Sequence, residues 1–422
     1  MSNQTIAQKI LARVSGKDQV EVGEIIWGKV DAHLMHDNQG PFRMGDDFKK
    51  LGLPIWDKSR FLLTADHHNP PIQDSQTHVL NVTRSWAKEQ KVEHFYDAEG
   101  ICHILLAEKG FVQPGFLVTG TDSHTTNAGA LGALGVAIGP TESVGVLTTG
   151  EVWLRVPETI RISFKGKLPH GTWGKDLSLL ALKDLGVDGA DYKVIQFEGE
   201  TLSSMSVEDR MTLTNMAAEF SAKSAIMEVD QKTEEYLRKV GIEGDLEILN
   251  SDDDAQYHSS YEYNVNDLSP QVACPHRMDN VTSVENVDSG PLQRAHLGSC
   301  TGAKLEDLRA AAKVLKGHQI AKGLQLLIAP ASKNILKNAM DDGTLSVLME
   351  AGGVLMPTTC GICSGKGPGQ LGPGEVCISS ANRNYKGRMG SEDASIYLAS
   401  AATVAASAIE GKVSDPRSFL DE

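Results

Sequence analysis

"GFLVTGTDSH", residues 115–124, is an apolar run that ends on an aspartate and a histidine. Unbroken apolar residues over this length read as a strand buried on both faces, the kind found in parallel sheets covered by helices. "FLLTADHH", residues 61–68, repeats the pattern and closes on Asp66, His67 and His68. Open α/β sheets gather functional groups at the carboxyl ends of such strands, so the two stretches predict an α/β fold with Asp66, His67, Asp122 and His124 at strand ends. His103, in "EGICHILL", lies in a third apolar, strand-like run. Each histidine alone is also explained as a satisfied core residue; two strand ends with the same chemistry are harder to explain that way.

Working outward, 422 residues with 41% apolar and 5% aromatic content suit an α/β protein of two or three domains. A formal net charge of −15 argues against nucleic acid or an anionic membrane as partner, since either needs a basic face. No uninterrupted apolar stretch is long enough to span a membrane, and "MSNQTIAQKILARVSG" reads as an amphipathic helix ended by glycine rather than a signal peptide. A cytoplasmic location is expected. Six cysteines are too few for a disulfide framework in so long a chain, which makes metal binding or catalysis the better reading where they cluster.

Three of them stand in suggestive places. Cys300 lies in "GSCTGAKLEDLRAAAKVL", residues 298–315, ahead of a helix whose buried stripe is Leu305, Leu308, Ala312 and Leu315. A helix start favours a thiolate, so the position suits a metal ligand or nucleophile, although a free cysteine is commonly just a small buried hydrophobe. Cys360 and Cys363 form a C-x-x-C pair in "PTTCGICSGKGPG". Such a pair fits a redox site, half a zinc site or half an iron–sulfur site. The following Ser364, Gly365, Gly367, Pro368 and Gly369 would not continue a helix, which weakens the redox reading. No fourth cysteine or nearby histidine completes a structural zinc site, and three thiolates leave a corner open. A [4Fe–4S] cluster held by three cysteines would expose one iron as a Lewis acid. Cys102, Cys274 and Cys377 are scattered and read as packed or incidental.

"GTDSHTTNAGALGALGVAIGPTE", "NMAAE", "GSCTGAKLEDLRAAA", the C-x-x-C pair and "SSANRNYKGRMG" resemble, in order, the signatures of the aconitase superfamily, most closely its stand-alone large subunits of the isopropylmalate dehydratase and homoaconitase type. The likeness runs from Met1 to about Lys412. It implies a three-domain α/β/α architecture around a central [4Fe–4S] cluster with one open iron site. Domains 1 and 2 would be interleaved over residues 1–285 and domain 3 would fill 286–422; the polar stretch "SDDDAQYHSSYEYNVNDLSP" reads as an exposed connection ahead of that boundary. By position, Cys300, Cys360 and Cys363 match the cluster ligands and Asn382 an asparagine contacting the cluster. Arg383 and Arg388 match arginines that hold substrate carboxylates, a task suited to a planar, permanently charged fork. Asp66 with His67, and Asp122 with His103, match carboxylate–imidazole pairs that raise a histidine pKa for proton transfer. His124, Asn215 and Glu219 match residues around the open iron, while His36, Ser123 and Asn127 match substrate contacts.

The implied activity is that of a hydro-lyase acting reversibly on a small hydroxy-dicarboxylic acid, 3-isopropylmalate first, with homoaconitate, 2-methylmalate and 2,3-dimethylmalate as alternatives. The resemblance also places a serine base and a further arginine in a mobile fourth domain. Nothing after "EGKVSDPRSFLDE" matches one, so a separate small subunit, and hence a hetero-oligomer, is expected. A cluster-sensing RNA-binding regulator is the reading from another class, disfavoured by the acidic charge, and a zinc-bound scaffold is a third. Three departures stand out: Gly302 where the family commonly has asparagine, Ser364 where leucine is commoner, and Gln196 where glutamate is frequent. The glycine-rich "GALGALGVAIG" lacks the G-x-G-x-x-G and acidic clamp of a nucleotide site; its small residues fit close packing instead.

Overall fold

The computed structural model describes residues 3–420 and builds them around three largely parallel sheets, with a two-stranded antiparallel ribbon of Ile25–Lys29 and Glu151–Arg155. The first sheet has five parallel strands, Ala32–His36, Phe61–Ala65, His94–Asp97, Leu117–Gly120 and Leu134–Ala137. Numbered along the chain, their spatial order is 3-2-1-4-5, so the winding reverses between Ala32–His36 and Leu117–Gly120. The two predicted strands fall on Phe61–Ala65 and Leu117–Gly120, each buried at every position, as their unbroken apolar sequence requires.

The second sheet, Thr159–Lys165, Val194–Glu198, Ser224–Met227 and Ser259–Asn264, runs 3-2-1-4 and is also parallel. The last of these strands lies inside the polar stretch expected to be a connection; it forms an exposed sheet edge, where burial does not demand apolar residues. The third sheet repeats the first: Arg294–Leu297, Gln325–Ile328, Gly353–Leu355, Val376–Ser379 and Ser395–Leu398 stand in the order 3-2-1-4-5. Two short antiparallel strands, Gln271–Ala273 and Val281–Ser283, extend its edge. The strands of the first sheet all precede those of the second along the chain, and the third sheet draws in residues ahead of 286. Three sheets therefore share one winding that no sequence repeat announces.

Helix Ile6–Ser15 starts at a Thr5–Gln8 capping box and stops at Gly16, whose φ of 68° few side chains tolerate, as its sequence predicts. Helix Leu305–Leu315 buries Leu305, Leu308, Ala312 and Leu315 in a core continuous from the first sheet to the third. The glycine-rich segment does pack closely: a Cβ on Gly129 would lie 2.0 Å from the Ala225 carbonyl oxygen, and one on Gly135 would lie 2.1 Å from that of Thr125. No helix among the described residues is long and apolar enough to cross a membrane.

Candidate active site

Both five-strand windings open a crevice where their order reverses, the place where such sheets collect ligands. The first delivers His36 and Asp37 from one strand end, Asp66 and His67 from the next, and Asp122 with His124 from the strand across the reversal. The third delivers Cys300 after Arg294–Leu297 and Asn382 with Arg383 after Val376–Ser379, with the Cys360–Cys363 turn following Gly353–Leu355. The two crevices meet. Cys360 N–H donates to the Asp66 carbonyl (2.9 Å), and Gln76 Nε2 donates to the Lys366 carbonyl (2.8 Å).

Asp122 is the hub of the histidine half. His103 Nε2 lies 2.9 Å and His124 Nδ1 3.3 Å from its Oδ1, while His67 Nε2 at 3.5 Å and His36 Nε2 at 3.7 Å approach Oδ2. Burial would raise the Asp122 carboxyl pKa, but His103, His124 and His67 hold it well below the usual range. Asp66 accepts from Thr64 Oγ1 (2.9 Å), His67 Nδ1 (3.1 Å) and the Cys102 N–H (2.9 Å), so its carboxylate is saturated and stays ionised. Burial alone would neutralise His67, yet the Cys360 thiolate and Asp66 lift its pKa well above the ordinary value. His36 stacks on that ring at 4.1 Å, and burial together with the His67 charge lowers it to about 4. The two stacked rings are thus shifted in opposite directions, His67 towards the imidazolium and His36 towards the neutral ring.

His103 corrects the sequence expectation: it sits in the first turn of helix Cys102–Glu108, because the apolar run there is a buried helix and periodicity over so few residues does not separate the two. Cys300 differs as well. It lies ahead of the Lys304 cap, in a turn where Ser299 takes a φ of 78°, so the helix start does not stabilise its thiolate. Burial, then the Cys360 and Cys363 thiols, push the Cys300 pKa up. Cys363 goes the other way: burial is outweighed by the Arg388 guanidinium, whose Nη2 lies 3.7 Å from the sulfur.

A relay of asparagines backs the thiols. Asn382 Nδ2 donates to Asn215 Oδ1 (2.7 Å), and Asn215 Nδ2 donates to Asn127 Oδ1 (3.2 Å). Cys300 Sγ lies 3.5 Å from Asn215 Oδ1 and 3.8 Å from Asn382 Oδ1, and Cys363 Sγ lies 4.0 Å from the latter. Glu219 joins the two halves, bonding His124 Nε2 at 2.7 Å and both of its oxygens to Arg383 Nε at 3.0 and 2.8 Å. Against the pull of burial, Arg383 and His124 lower its pKa to about 2. Arg383 Nη2 also donates to Ser123 Oγ at 3.0 Å, so much of its fork is committed within the protein. Arg388 donates to the Tyr385 hydroxyl at 3.0 Å and keeps a buried Nε with no partner among the described residues.

The thiols suit a group larger than one ion. A tetrahedral zinc, with Zn–S near 2.3 Å, would draw sulfurs to within roughly 4 Å of one another. Ligand atoms of His36, Asp37, Asp66 and His67, and those of His103, Asp122 and His124, close to within 4.8 Å; the three cysteines make no such group. Three thiols held apart, two of them around Asn382 and one with its pKa lowered by an arginine, match the soft donor set of an iron–sulfur cluster.

Sequence reading missed Asp37. Asp37 accepts the backbone N–H groups of His67 (3.1 Å) and His68 (2.9 Å), and the run "HLMHD" carries the same strand-end pattern that singled out Asp66. The Cys102 thiol is packed in the core, as the sequence suggests, while its backbone amide bonds Asp66. Gln196 lies away from the site, donating to the Tyr257 hydroxyl (3.2 Å) and accepting from Ser251 (3.1 Å). Ser364 caps its own turn through the Gly361 carbonyl at 3.2 Å. Gly302 has a steric reason: a Cβ there would sit 2.3 Å from Ser380 Cβ and Oγ. Gly302→Ala is expected to lower unfolding free energy by about 1–3 kcal/mol, the range for overpacking, measured by denaturant titration.

A model of the aconitase family (aconitate hydratase) matches residues 8–411. A probable 3-isopropylmalate dehydratase large subunit of Methanothermobacter thermautotrophicus is 43% identical over 98% of this chain and 99% of its own length. A probable methanogen homoaconitase large subunit of the same organism is 40% identical, covering 99% of this chain and 98% of that one. A 3-isopropylmalate dehydratase large subunit of Thermotoga maritima is 40% identical, with 99% of each chain covered. The crystal structure of Thermococcus kodakaraensis aconitase X, holo-form, shares the fold at a TM-score of 0.52 and 14% identity, over 99% of this chain and 93% of that one.

Proposed function

The chain belongs to the aconitase family, and we propose that it is the cluster-bearing large subunit of a hydro-lyase that reversibly dehydrates a hydroxy-dicarboxylic acid, 3-isopropylmalate first. The observation that carries this reading is the meeting of two strand-end sets, carboxylate–imidazole pairs from the first sheet and three thiols with two arginines from the third. Cys300, Cys360 and Cys363 would hold a [4Fe–4S] cluster, with Asn382 and Asn215 behind the sulfurs. When bound, that cluster supplies a Lewis acid at the iron left without a thiolate.

The chain's own residues do the rest. Arg388, with an unpartnered N–H directed into buried space, takes a substrate carboxylate; Arg383, braced by Glu219 and Ser123, presents its remaining N–H groups to a second. His67 enters as an imidazolium, held by Asp66, and His103 is oriented by Asp122, so a proton stands ready for an oxygen leaving between them. His124, bonded to Glu219 and Asp122, stands beside His103 as a second carboxylate-held imidazole. His36 and Asn127 complete the polar lining.

Relatives of equal length bear the name large subunit, which supports a small-subunit partner for this chain; homoaconitate is the alternative substrate that one of those names supports. The test is turnover by protein made without oxygen and mixed with a relative's small subunit. Offered 3-isopropylmalate, homoaconitate, 2-methylmalate and 2,3-dimethylmalate in turn, it should convert one far better than the others, read by the ultraviolet absorbance of the unsaturated acid. Conversion of none would overturn the hydro-lyase reading. Arg388→Lys should leave the cluster spectrum intact but lose about 2–3 kcal/mol of kcat/KM, because a point charge cannot reproduce a forked carboxylate contact. An unchanged rate would remove Arg388 from the site.

A further inference from the structure

Lys175 opens helix Gly174–Leu185 of the second sheet's layer and is buried, 3% exposed, beneath the turns that carry Cys300 and Asn382. Its ammonium donates to the Ala381 carbonyl at 2.7 Å, and the Ser380 carbonyl, Thr301 Oγ1 and Met216 Sδ each lie 3.4 Å away. Thr301 follows Cys300, and Ala381 precedes Asn382. None of these partners is negatively charged. No carboxylate among the described residues is in ion-pair distance of Lys175, whereas the other lysine buried beside Thr301, Lys304, lies 2.8 Å from Asp307. Its neighbour Asp176 is occupied elsewhere, accepting from the Gln271 and Trp173 N–H groups at 2.7 and 2.8 Å. Glu219, the largest acidic influence on it, is itself paired with Arg383 and His124.

An ammonium taken out of water without a counter-ion costs several kcal/mol, so a fold that retains one must place negative charge near it. The remaining candidates are the thiolates above it. We propose that Lys175 is a positioning residue that acts as counter-charge to the three-thiolate centre, holding the Cys300 and Asn382 turns through its hydrogen bonds and stabilising the centre's negative charge through its own. Burial lowers the Lys175 pKa to about 8, a shift opposed by Glu219 and then by the Cys363 and Cys300 sulfurs. Lys175 thus joins Asn382 and Arg388 as a neighbour that tunes the centre without ligating it.

This inference rests on the cluster reading above. Lys175→Gln keeps a donor for the Ala381 carbonyl but removes the charge; Lys175→Met is a second variant of similar volume. Both are made without oxygen, checked for fold by circular dichroism, and titrated electrochemically with the reduced cluster followed by electron paramagnetic resonance. Removing a buried positive charge should shift the midpoint to more negative potential and quicken iron loss in air by about tenfold or more, in line with other residues that support metal ligands. A folded variant that takes up no cluster also counts in favour, since the glutamine keeps the hydrogen bond. Lys304→Gln, whose charge is already paired, should leave the potential unmoved. Potential and air sensitivity equal to those of the unaltered chain in the folded variants would overturn the counter-charge. Failure of the unaltered chain to assemble a cluster would instead overturn the reading beneath it.

Discussion

The Cys360→Ser chain, made without oxygen, is expected to emerge colourless and to turn over at least about a thousandfold more slowly than the unaltered chain with the same partner. A Lewis-acidic metal contributes several kcal/mol to such a step, and each 1.36 kcal/mol is a decade in rate. Serine cannot stand in, because its oxygen is hard, poorly ionised and short of the soft metal's preference. The position has further consequences: the Cys360 N–H binds the Asp66 carbonyl, and its sulfur is, with Asp66, among the groups that raise the His67 pKa. Losing the sulfur therefore weakens both the metal site and the proton donor. Cys377→Ser is the matched control. Cys377 lies in strand Val376–Ser379 with its thiol on the Ile378 carbonyl at 3.4 Å, pushed up to about 12 by burial. It behaves as a small hydrophobe, so its loss should cost stability on the order of 1–3 kcal/mol while the brown colour persists. Iron analysis and the visible spectrum decide the matter; a colourless unaltered protein carrying one zinc would sink the cluster.

What the sequence showed clearly was whatever a strand end displays locally. Asp66, His67, Asp122 and His124 were legible because a buried parallel strand leaves an unbroken apolar run and its functional residues follow at once. Asp37 obeys the same rule, one residue beyond His36 at the end of its strand. The cysteines were legible by type and spacing, but their protonation was not. Cys300 was expected to gain from a helix start that the structure places beyond Lys304, and its neighbours turn out to be other thiols and asparagines distant in sequence. Arg383 illustrates the limit most plainly. Its charge and shape mark it for carboxylates, yet the carboxylate it grips in this structure is Glu219, 164 residues away. Lys175 gave no signal at all, since "GKDLSLL" reads as an ordinary helix start. The common 3-2-1-4 winding of the three sheets was equally hidden, because strand order is set by long-range pairing rather than by local composition.

The same side-chain inventory that supports proton delivery leaves proton removal unprovided for, and this sets the last expectation. Dehydration needs a base for the carbon acid as well as an acid for the oxygen. His67 is already protonated, His124 is bound to Glu219, and His103 to Asp122. Asp66 is saturated by three donors, and Glu219 is gripped by Arg383. Ser123 accepts from Arg383 and, among the described residues, has no carboxylate or imidazole bonded to it to draw off its proton. Each of these groups is therefore charged, committed or inactive, and His36, which burial and the His67 charge hold at a pKa of about 4, is too weak a base. The chain with a full cluster but no partner should show little or no turnover, roughly a hundredfold to ten-thousandfold below the complex, the usual contribution of general base catalysis. Adding the proposed small subunit should restore it and yield a stable complex by size-exclusion chromatography, with a mobile segment closing over the crevice and excluding water. Full turnover by the lone chain would be a decisive contrary result, and it would oblige one of the committed groups, Glu219 foremost, to be released from its arginine and act as the base.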